Sequence, residues 1–355
     1  MEIKDINIDG YERVVRGVDE QSGLDCIICI HNTKLGPALG GTRVWSYENM
    51  EDHLQDALSL GKAMTMKNSL AGLDSGGGKG VINIKGKKKT PEIFQMYGEV
   101  VNHLDGTYLT GEDVGVKPED INEMKKTTKY VSGYNIDSHL LDPGPATAYG
   151  VIQCMAVAAR FLQLDCSHLD FPTYPNNILS ELRISIQGLG NVGYALMEML
   201  LYKEARVTVT DIDPELMRKA KKQYPEISIV APNKIYDVAS DIFAPCALGG
   251  VINPVTIPKL KKSTYIICGS ANNQLLDESC DKLLYDNGII YCPDYLVNAG
   301  GVILVYKEKS KVSTDFHISN FIDLIGDRLE ECLKIKKRDK LPTGFVADIM
   351  AMRRL

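Results

Sequence analysis

Residues Leu182 to Asp213 constrain the fold more than any other stretch of the chain. Leu182-Arg183-Ile184-Ser185-Ile186-Gln187 has the length and the alternation of a strand, and it opens directly into Gly188-Leu189-Gly190-Asn191-Val192-Gly193. Tyr194 to Leu201 continues as a helix, and Val207 to Thr210 is a second strand ending in Asp211-Ile212-Asp213. A G-x-G-x-x-G between strand and helix, with an acid at the tip of the next strand, is the dinucleotide-binding form of this motif. Its glycines permit the tight turn and let a pyrophosphate approach the helix N-terminus, where unpaired N–H groups favour anions. Asp211 can accept from the adenosine ribose hydroxyls. No arginine follows closely to receive a 2′-phosphate, so NAD is expected rather than NADP. Further strand-and-loop units, Asp241 to Gly249, Tyr265 to Asn273 and Gly288 to Gly301, place Cys246, Ala247, Ala271, Asn272 and Asn298 along the same cofactor edge.

A chain of 355 residues has room for a second domain beside this one. With 44% hydrophobic and 24% charged residues it has an ordinary globular composition, and its net charge of −6 speaks against nucleic acid as a partner. The start, Met1-Glu2-Ile3-Lys4-Asp5, lacks the basic end and apolar run of a signal peptide, and no apolar run reaches membrane-spanning length. The nine cysteines are scattered and odd in number, as suits reduced thiols in a cytoplasm. Cys26 and Cys29 form a C-x-x-C inside an apolar run, where a strand points them to opposite faces. No metal site is expected.

The first half reads in order as a hairpin over residues 10 to 32, then a glycine-rich turn, Leu35 to Gly41, running into a strand at Thr42-Arg43-Val44. A helix over Asn49 to Met66 follows, with Leu54, Ala57, Leu58 and Gly61 on one face. That helix delivers Lys67 near its C-terminal end. Next comes Met66 to Val81, in which Gly76-Gly77-Gly78 precedes Lys79. The glycines read as a turn: either a flexible loop with a solvated lysine, or a rigid turn holding Lys79 in a cleft. Lys67 alone reads equally as a snorkelling surface residue. The Lys85 to Lys89 run reads as a solvated loop. Thr90-Pro91-Glu92 is a helix start, with a capping hydroxyl before a first-turn proline. Thr107 to Gly115 reads as a short strand ending in a loop with Glu112 and Asp113, where Asp113 is either a turn residue or an acid facing a cleft. Ala146 to Leu164 is a helix, and Asp165 to Glu181 a polar, proline-containing link.

Taken together, Gly36-Pro37-Ala38-Leu39-Gly40-Gly41-Thr42-Arg43, Lys67-Asn68, Gly76-Gly77-Gly78-Lys79-Gly80, Glu112-Asp113-Val114-Gly115, Thr147-Ala148-Tyr149-Gly150, the dinucleotide fingerprint, Ser270 to Gln274 and Asp294 to Gly301 resemble the glutamate/leucine/phenylalanine/valine dehydrogenase family over nearly the whole chain. The resemblance implies reversible oxidative deamination of an L-amino acid to a 2-oxo acid and ammonium, with NAD as hydride acceptor. It implies that Lys67 pairs with the substrate α-carboxylate. Lys79 would activate the water that attacks the imino intermediate, helped to shed its proton by the nearby Lys67 ammonium and by desolvation. Asp113 would pass protons to and from the amino nitrogen. Thr147 and Asn298 match positions near the nicotinamide and substrate. The turn with Leu39, Gly40 and Gly41 would line the substrate pocket.

Glutamate-specific relatives carry a lysine where this chain has Leu39, so a γ-carboxylate would be desolvated without a partner and glutamate is disfavoured. Gly111 and Leu296 lean toward an aromatic substrate, because glycine at 111 leaves room for a ring. Leucine or valine is the alternative, since one methylene discriminates only weakly. The expected architecture is two α/β domains with the active site in the cleft between them. Residues 1–144 form the substrate-binding and oligomerisation domain, with a C-terminal return over 328–355, and residues 145–327 form the Rossmann-type NAD domain. A homo-oligomer is expected, a dimer before an octamer, because the chain ends at Leu355 where leucine-type relatives carry a longer tail. Two rivals use the same scaffold: a non-catalytic NAD-binding relative, and a biosynthetic enzyme coupling an aromatic oxo acid through the same imine chemistry. A P-loop is excluded, since Gly80 rather than Ser or Thr follows Lys79.

Overall fold

The computed structural model describes residues 1–132, 143–165, 177–180, 182–309 and 315–355. It divides into two compact units. The first comprises Met1–Leu140 with Val305–Val312 and Ala351–Leu355, the second Leu141–Leu304 with Ser313–Met350.

In chain order the first unit contains β1 (Glu2–Asp5), β2 (Arg13–Asp19), β3 (Leu24–Asn32), β4 (Ala38–Leu39), β5 (Thr42–Trp45), α1 (Met50–Leu70), β6 (Gly76–Asn83), α2 (Pro91–His103), β7 (Tyr108–Leu109) and α3 (Pro118–Met124). The sheet runs β1-β2-β3-β6-β4-β7, and β5 also pairs with β6. β2 and β3 are the antiparallel hairpin read from residues 10 to 32, with Val14 opposite Cys29. The nearly unbroken apolar run of β3 belongs to a strand buried on both faces. Ile28 and Cys26 join Phe94, Tyr97 and Val101 of α2 on one face. Ile27 and Cys29 join Ala57 and Leu60 of α1 on the other. The two cysteines therefore point apart, and burial pushes each thiol up to about 12. Both stay protonated and act as small core hydrophobes.

Helix α1 starts where Asn49 accepts the Asp52 N–H. At α2 the expectation is half met: Pro91 occupies the first turn, but the Thr90 hydroxyl makes no capping hydrogen bond.

The second unit contains α4 (Pro143–Asp165), β8 (Arg183–Gln187), α5 (Asn191–Tyr202), β9 (Arg206–Thr210), α6 (Pro214–Gln223), β10 (Ser228–Ile229), β11 (Ile242–Pro245), α7 (Ile257–Leu260), β12 (Ile266–Ile267), α8 (Ser279–Asp286), β13 (Ile290–Tyr291) and α9 (Asp294–Val297). Helices α10 (Gly300–Lys309), α11 (Asp315–Asp339) and α12 (Thr343–Met352) follow. Its sheet is parallel throughout, in the order β10-β9-β8-β11-β12-β13. Numbered from β8 this is 3-2-1-4-5-6, the order of a dinucleotide-binding doubly wound sheet. The link read over Asp165 to Glu181 lies outside the described residues except for Asp165 and 177–180.

Of the C-terminal return expected over 328–355, Ala351–Leu355 cluster with the first unit. Residues Ser313–Met350 cluster with the second unit, where hydrogen bonds hold α12. Asp281 in α8 accepts the Phe345 N–H at 3.0 Å, and the Tyr295 hydroxyl donates to Asp348 at 2.6 Å. Among the described residues no helix is long and apolar enough to cross a membrane.

Candidate active site

The glycine run before Lys79 is not a turn. Gly76 to Asn83 form β6, a strand buried at every residue, antiparallel to β3 and parallel to β4 and β5. The reason for glycine here is close approach rather than unusual backbone angles. A Cβ on Gly77 would lie 2.0 Å from the Thr65 backbone nitrogen, so α1 rests directly on the strand. On β6 Lys79 is held by the sheet itself, and only 4% of its surface is exposed. That removes the flexible-loop reading.

Lys79 Nζ lies 2.9 Å from Asp113 Oδ2. The loop carrying Asp113 is pinned to β5 by two backbone hydrogen bonds, from Thr42 N–H to Gly111 O and from Val44 N–H to Val114 O, both 2.8 Å. Burial pushes the Asp113 carboxyl up, but the positive charges of Lys79 and Arg43 outweigh it and hold the group below the usual carboxylate range. Asp113 is therefore ionised at neutral pH. Arg43 Nε stands 3.5 Å from the same Oδ2, while Arg43 Nη1 donates to both oxygens of Asp56 at 3.0 and 3.1 Å. The Tyr47 hydroxyl also donates to Asp56.

Lys67 stands in the last turn of α1, partly buried. Its neighbour Asn68 is fully buried and donates to Leu39 O at 3.1 Å and Gly76 O at 2.6 Å. One amide thus fastens the end of α1 to both β4 and β6, fixing Lys67 relative to Leu39, which is 4% exposed. In the same turn a Cβ on Gly40 would fall 1.9 Å from Gly78 O.

At Gly111 the structure supplies a second reason for glycine. A methyl there would meet the Ser132 carbonyl oxygen at 2.8 Å, so the backbone of residue 132 accounts for the glycine without an aromatic ring. Gly111→Ala is accordingly expected to cost about 1–3 kcal/mol. A thermal melt should show the loss, while the ratio of kcat/KM for phenylalanine over leucine stays unchanged. Leu296, in α9, is 1% exposed.

In the second unit, Gly188 takes a φ of +105°, and a Cβ there would lie 2.8 Å from Ala247 N, which places the Cys246-Ala247 loop against the fingerprint. Gly190 is the N-cap of α5 and supplies no side-chain acceptor to the first turn of the helix. This suits a pyrophosphate. Asp211 has a structural task as well: Oδ2 accepts the Leu189 N–H at 2.6 Å and Oδ1 the Asp213 N–H at 2.8 Å. It braces the fingerprint turn and keeps spare lone pairs for a ribose. Ile212 beside it is 89% exposed.

Asn298 donates to Ser270 O at 3.1 Å and Asn272 Oδ1 at 2.8 Å, gathering the loops that carry Ala271 and Asn272. Its Oδ1 is buried with no hydrogen-bond partner among the described residues, an acceptor that fits an amide or amine donor of a ligand. The Thr147 hydroxyl donates to Pro143 O at 2.8 Å and accepts the Gly301 N–H at 3.1 Å. The residues of this unit fit a nicotinamide dinucleotide.

Arg43, Asp56, Tyr47 and Asn68 are not singled out by any local pattern. Arg43 and Asn68 do stand inside motifs quoted for the family resemblance, which is the signal that could have found them.

The chain is similar over most of its length to known amino acid dehydrogenases. Residues 12–130 match the Glu/Leu/Phe/Val dehydrogenase dimerisation domain, and residues 215–322 match the Glutamate/Leucine/Phenylalanine/Valine dehydrogenase domain. The leucine dehydrogenase of Geobacillus stearothermophilus is 42% identical over 97% of this chain and 90% of its own. The phenylalanine dehydrogenase of Caldalkalibacillus thermarum is 42% identical over 85% of this chain and 80% of its own. The crystal structure of L-tryptophan dehydrogenase from Nostoc punctiforme superposes with a TM-score of 0.79 at 36% identity, covering 97% of this chain and 96% of that one. The chain belongs to the Glu/Leu/Phe/Val dehydrogenase family of NAD(P)-dependent amino acid dehydrogenases.

Proposed function

We propose that the protein catalyses the reversible, NAD-linked oxidative deamination of an apolar L-amino acid to its 2-oxo acid and ammonium. The observation that carries this reading is the Lys79–Asp113 pair, 2.9 Å apart, with Lys79 buried on β6 beside the strand that carries the apolar Leu39. Lys67 takes the substrate α-carboxylate, and Leu39 meets its side chain. The fingerprint turn, Asp211, Thr147 and Asn298 hold the dinucleotide, which supplies the acceptor for the hydride leaving Cα.

Asp113 takes one proton from the substrate ammonium, freeing the nitrogen lone pair to form the imine as the hydride departs. Lys79, with its amine neutral, takes a proton from water as the hydroxide adds to the imine carbon, and later releases it to solvent. Asp113 returns its proton to the amino nitrogen. The C–N bond then breaks as the carbonyl forms, and the hydroxyl proton leaves with the ammonia as ammonium.

NAD is favoured over NADP because Asp211 closes the second strand with a carboxylate, which repels a 2′-phosphate. The match of residues 12–130 to a dimerisation domain supports a homodimer as the working form. Which apolar side chain is preferred rests on Leu39 and Leu296, now that Gly111 has a backbone explanation.

Initial rates with leucine, valine, phenylalanine, tryptophan and glutamate, each with NAD and NADP, test the reading. At least one apolar amino acid should be oxidised, with glutamate lower in kcat/KM by about 100-fold or more. NADP should support a lower rate than NAD throughout. Preference for glutamate or NADP would overturn the assignment.

A further inference from the structure

The carboxylate that performs the proton transfers in this reading does not rest on Lys79 alone. Arg43, from β5, approaches Asp113 Oδ2 with Nε at 3.5 Å and turns Nη1 onto both oxygens of Asp56 in α1. The Tyr47 hydroxyl donates to Asp56 as well, on the Oδ2 that Arg43 also reaches. Two cations and two carboxylates therefore alternate in a row, Lys79, Asp113, Arg43, Asp56, and a phenol closes the end. The side chains of Arg43, Asp113 and Asp56 are 18, 18 and 22% exposed, so three charged groups are largely desolvated to build the arrangement. Such desolvation opposes folding and makes a row of this kind a poor choice for stability alone.

We propose that Arg43, anchored by Asp56 and Tyr47, is a positioning residue that keeps the Asp113 carboxylate aimed at its proton-transfer partners while the charge on Lys79 changes. The inference rests on the proposed roles of Lys79 and Asp113. In that cycle Lys79 alternates between amine and ammonium, so its hold on Asp113 weakens when the amine is neutral. A guanidinium keeps its charge throughout, and its planar fork reaches two carboxylates in fixed directions. Arg43 uses that shape: one nitrogen is committed to Asp56, and Nε, which has no hydrogen-bond partner among the described residues, faces Asp113. Asp56 and Tyr47 then set where the fork stands. A lysine at 43 would bring one point charge and could not hold both carboxylates at these distances.

The test compares Arg43→Ala, Arg43→Lys and Asp56→Asn with the wild type. kcat and KM are measured for the best amino acid of the panel, and thermal melts check folding. Arg43→Ala should lower kcat by about 100-fold, the scale of a reacting group displaced by an ångström, with KM changed by no more than about threefold. Low-millimolar guanidinium should restore about tenfold or more of the loss in this variant, whereas methylammonium should restore none. Arg43→Lys should remain well below the wild type. Asp56→Asn keeps Arg43 but frees its anchor, and should lower kcat by about tenfold at nearly constant KM.

A rise in KM at unchanged kcat in a folded Arg43→Ala variant, or a loss that guanidinium does not relieve, would overturn the proposal. If Arg43→Ala does not fold, Asp56→Asn decides the matter, and kcat within about twofold of the wild type would overturn it. The two readings fail differently. A wild type that oxidises no amino acid refutes the proposed function, and the inference with it, before any variant is compared. An active wild type with unaffected variants refutes the inference alone.

Discussion

Lys79→Ala is expected to lower kcat by about 10²–10⁴-fold, the range for loss of a general base. The same change should destabilise the first unit, because Asp113 would lose its 2.9 Å partner and keep Arg43 as its neighbouring cation. Breaking a fully buried pair costs about 3–5 kcal/mol; here the remaining arginine and partial exposure reduce this to about 2 kcal/mol. The pH dependence carries a definite sign. The folded carboxyl of Asp113 is held below its unfolded value, against the upward push of burial, chiefly by Lys79 and then by Arg43. Its stabilising contribution is therefore complete above the unfolded value, near about pH 4, and is lost as pH falls through the folded one. Denaturant titrations of both proteins should show the variant trailing the wild type at pH 7, with the gap closing on acidification below about pH 4. A gap that widens at low pH would contradict the assignment of charge to this pair.

The second large effect is expected at Gly77. A methyl group there would be driven to 2.0 Å from the Thr65 backbone nitrogen and 2.3 Å from its hydroxyl. No rotamer change relieves a clash with helix backbone, so α1 would have to lift from β6, taking Lys67 and Asn68 with it. Gly77→Ala should destabilise the first unit by about 3 kcal/mol or more, the upper end for overpacking. That corresponds to a fall in its melting temperature of roughly 6–12 °C. Calorimetry resolves the effect if the two units melt separately. A variant that melts with the wild type would show that α1 and β6 do not pack as described.

The residues explain why some of this was legible and some was not. The turn Gly188 to Gly193 acts through neighbours in sequence: strand, turn and helix start lie within twelve residues, so a local pattern suffices. The opposed Cys26 and Cys29 likewise followed from the period of a strand, and the structure shows both faces of β3 buried. Gly76 to Gly78 misled because a glycine run looks the same in a turn and in a strand beneath a helix. What separates the two is Thr65, from another element, and the sequence around the glycines does not contain it. At Gly111 a constraint was hidden for the same reason, since it comes from the carbonyl of Ser132.

The Asp56–Arg43–Tyr47 arrangement lay beyond local reading because its members come from β5, α1 and the segment joining them. At Thr90 the spacing gave the right helix start, and the hydroxyl was not used. Asp211 was placed correctly at the strand tip, but its hydrogen bonds to Leu189 and Asp213 appear only in three dimensions.

The central claim is that this chain moves a hydride from the α-carbon of an apolar amino acid to a nicotinamide dinucleotide while releasing the nitrogen. Deuterium tests it most directly. L-leucine and L-phenylalanine labelled at Cα are incubated with the protein and NAD, and the reduced dinucleotide is analysed by mass spectrometry alongside an ammonium assay. The account predicts that the dinucleotide formed carries the deuterium, that ammonium appears in equal amount, and that Lys79→Ala yields neither at a comparable rate. Reduced dinucleotide without the label, or dinucleotide reduction without ammonium, would contradict it.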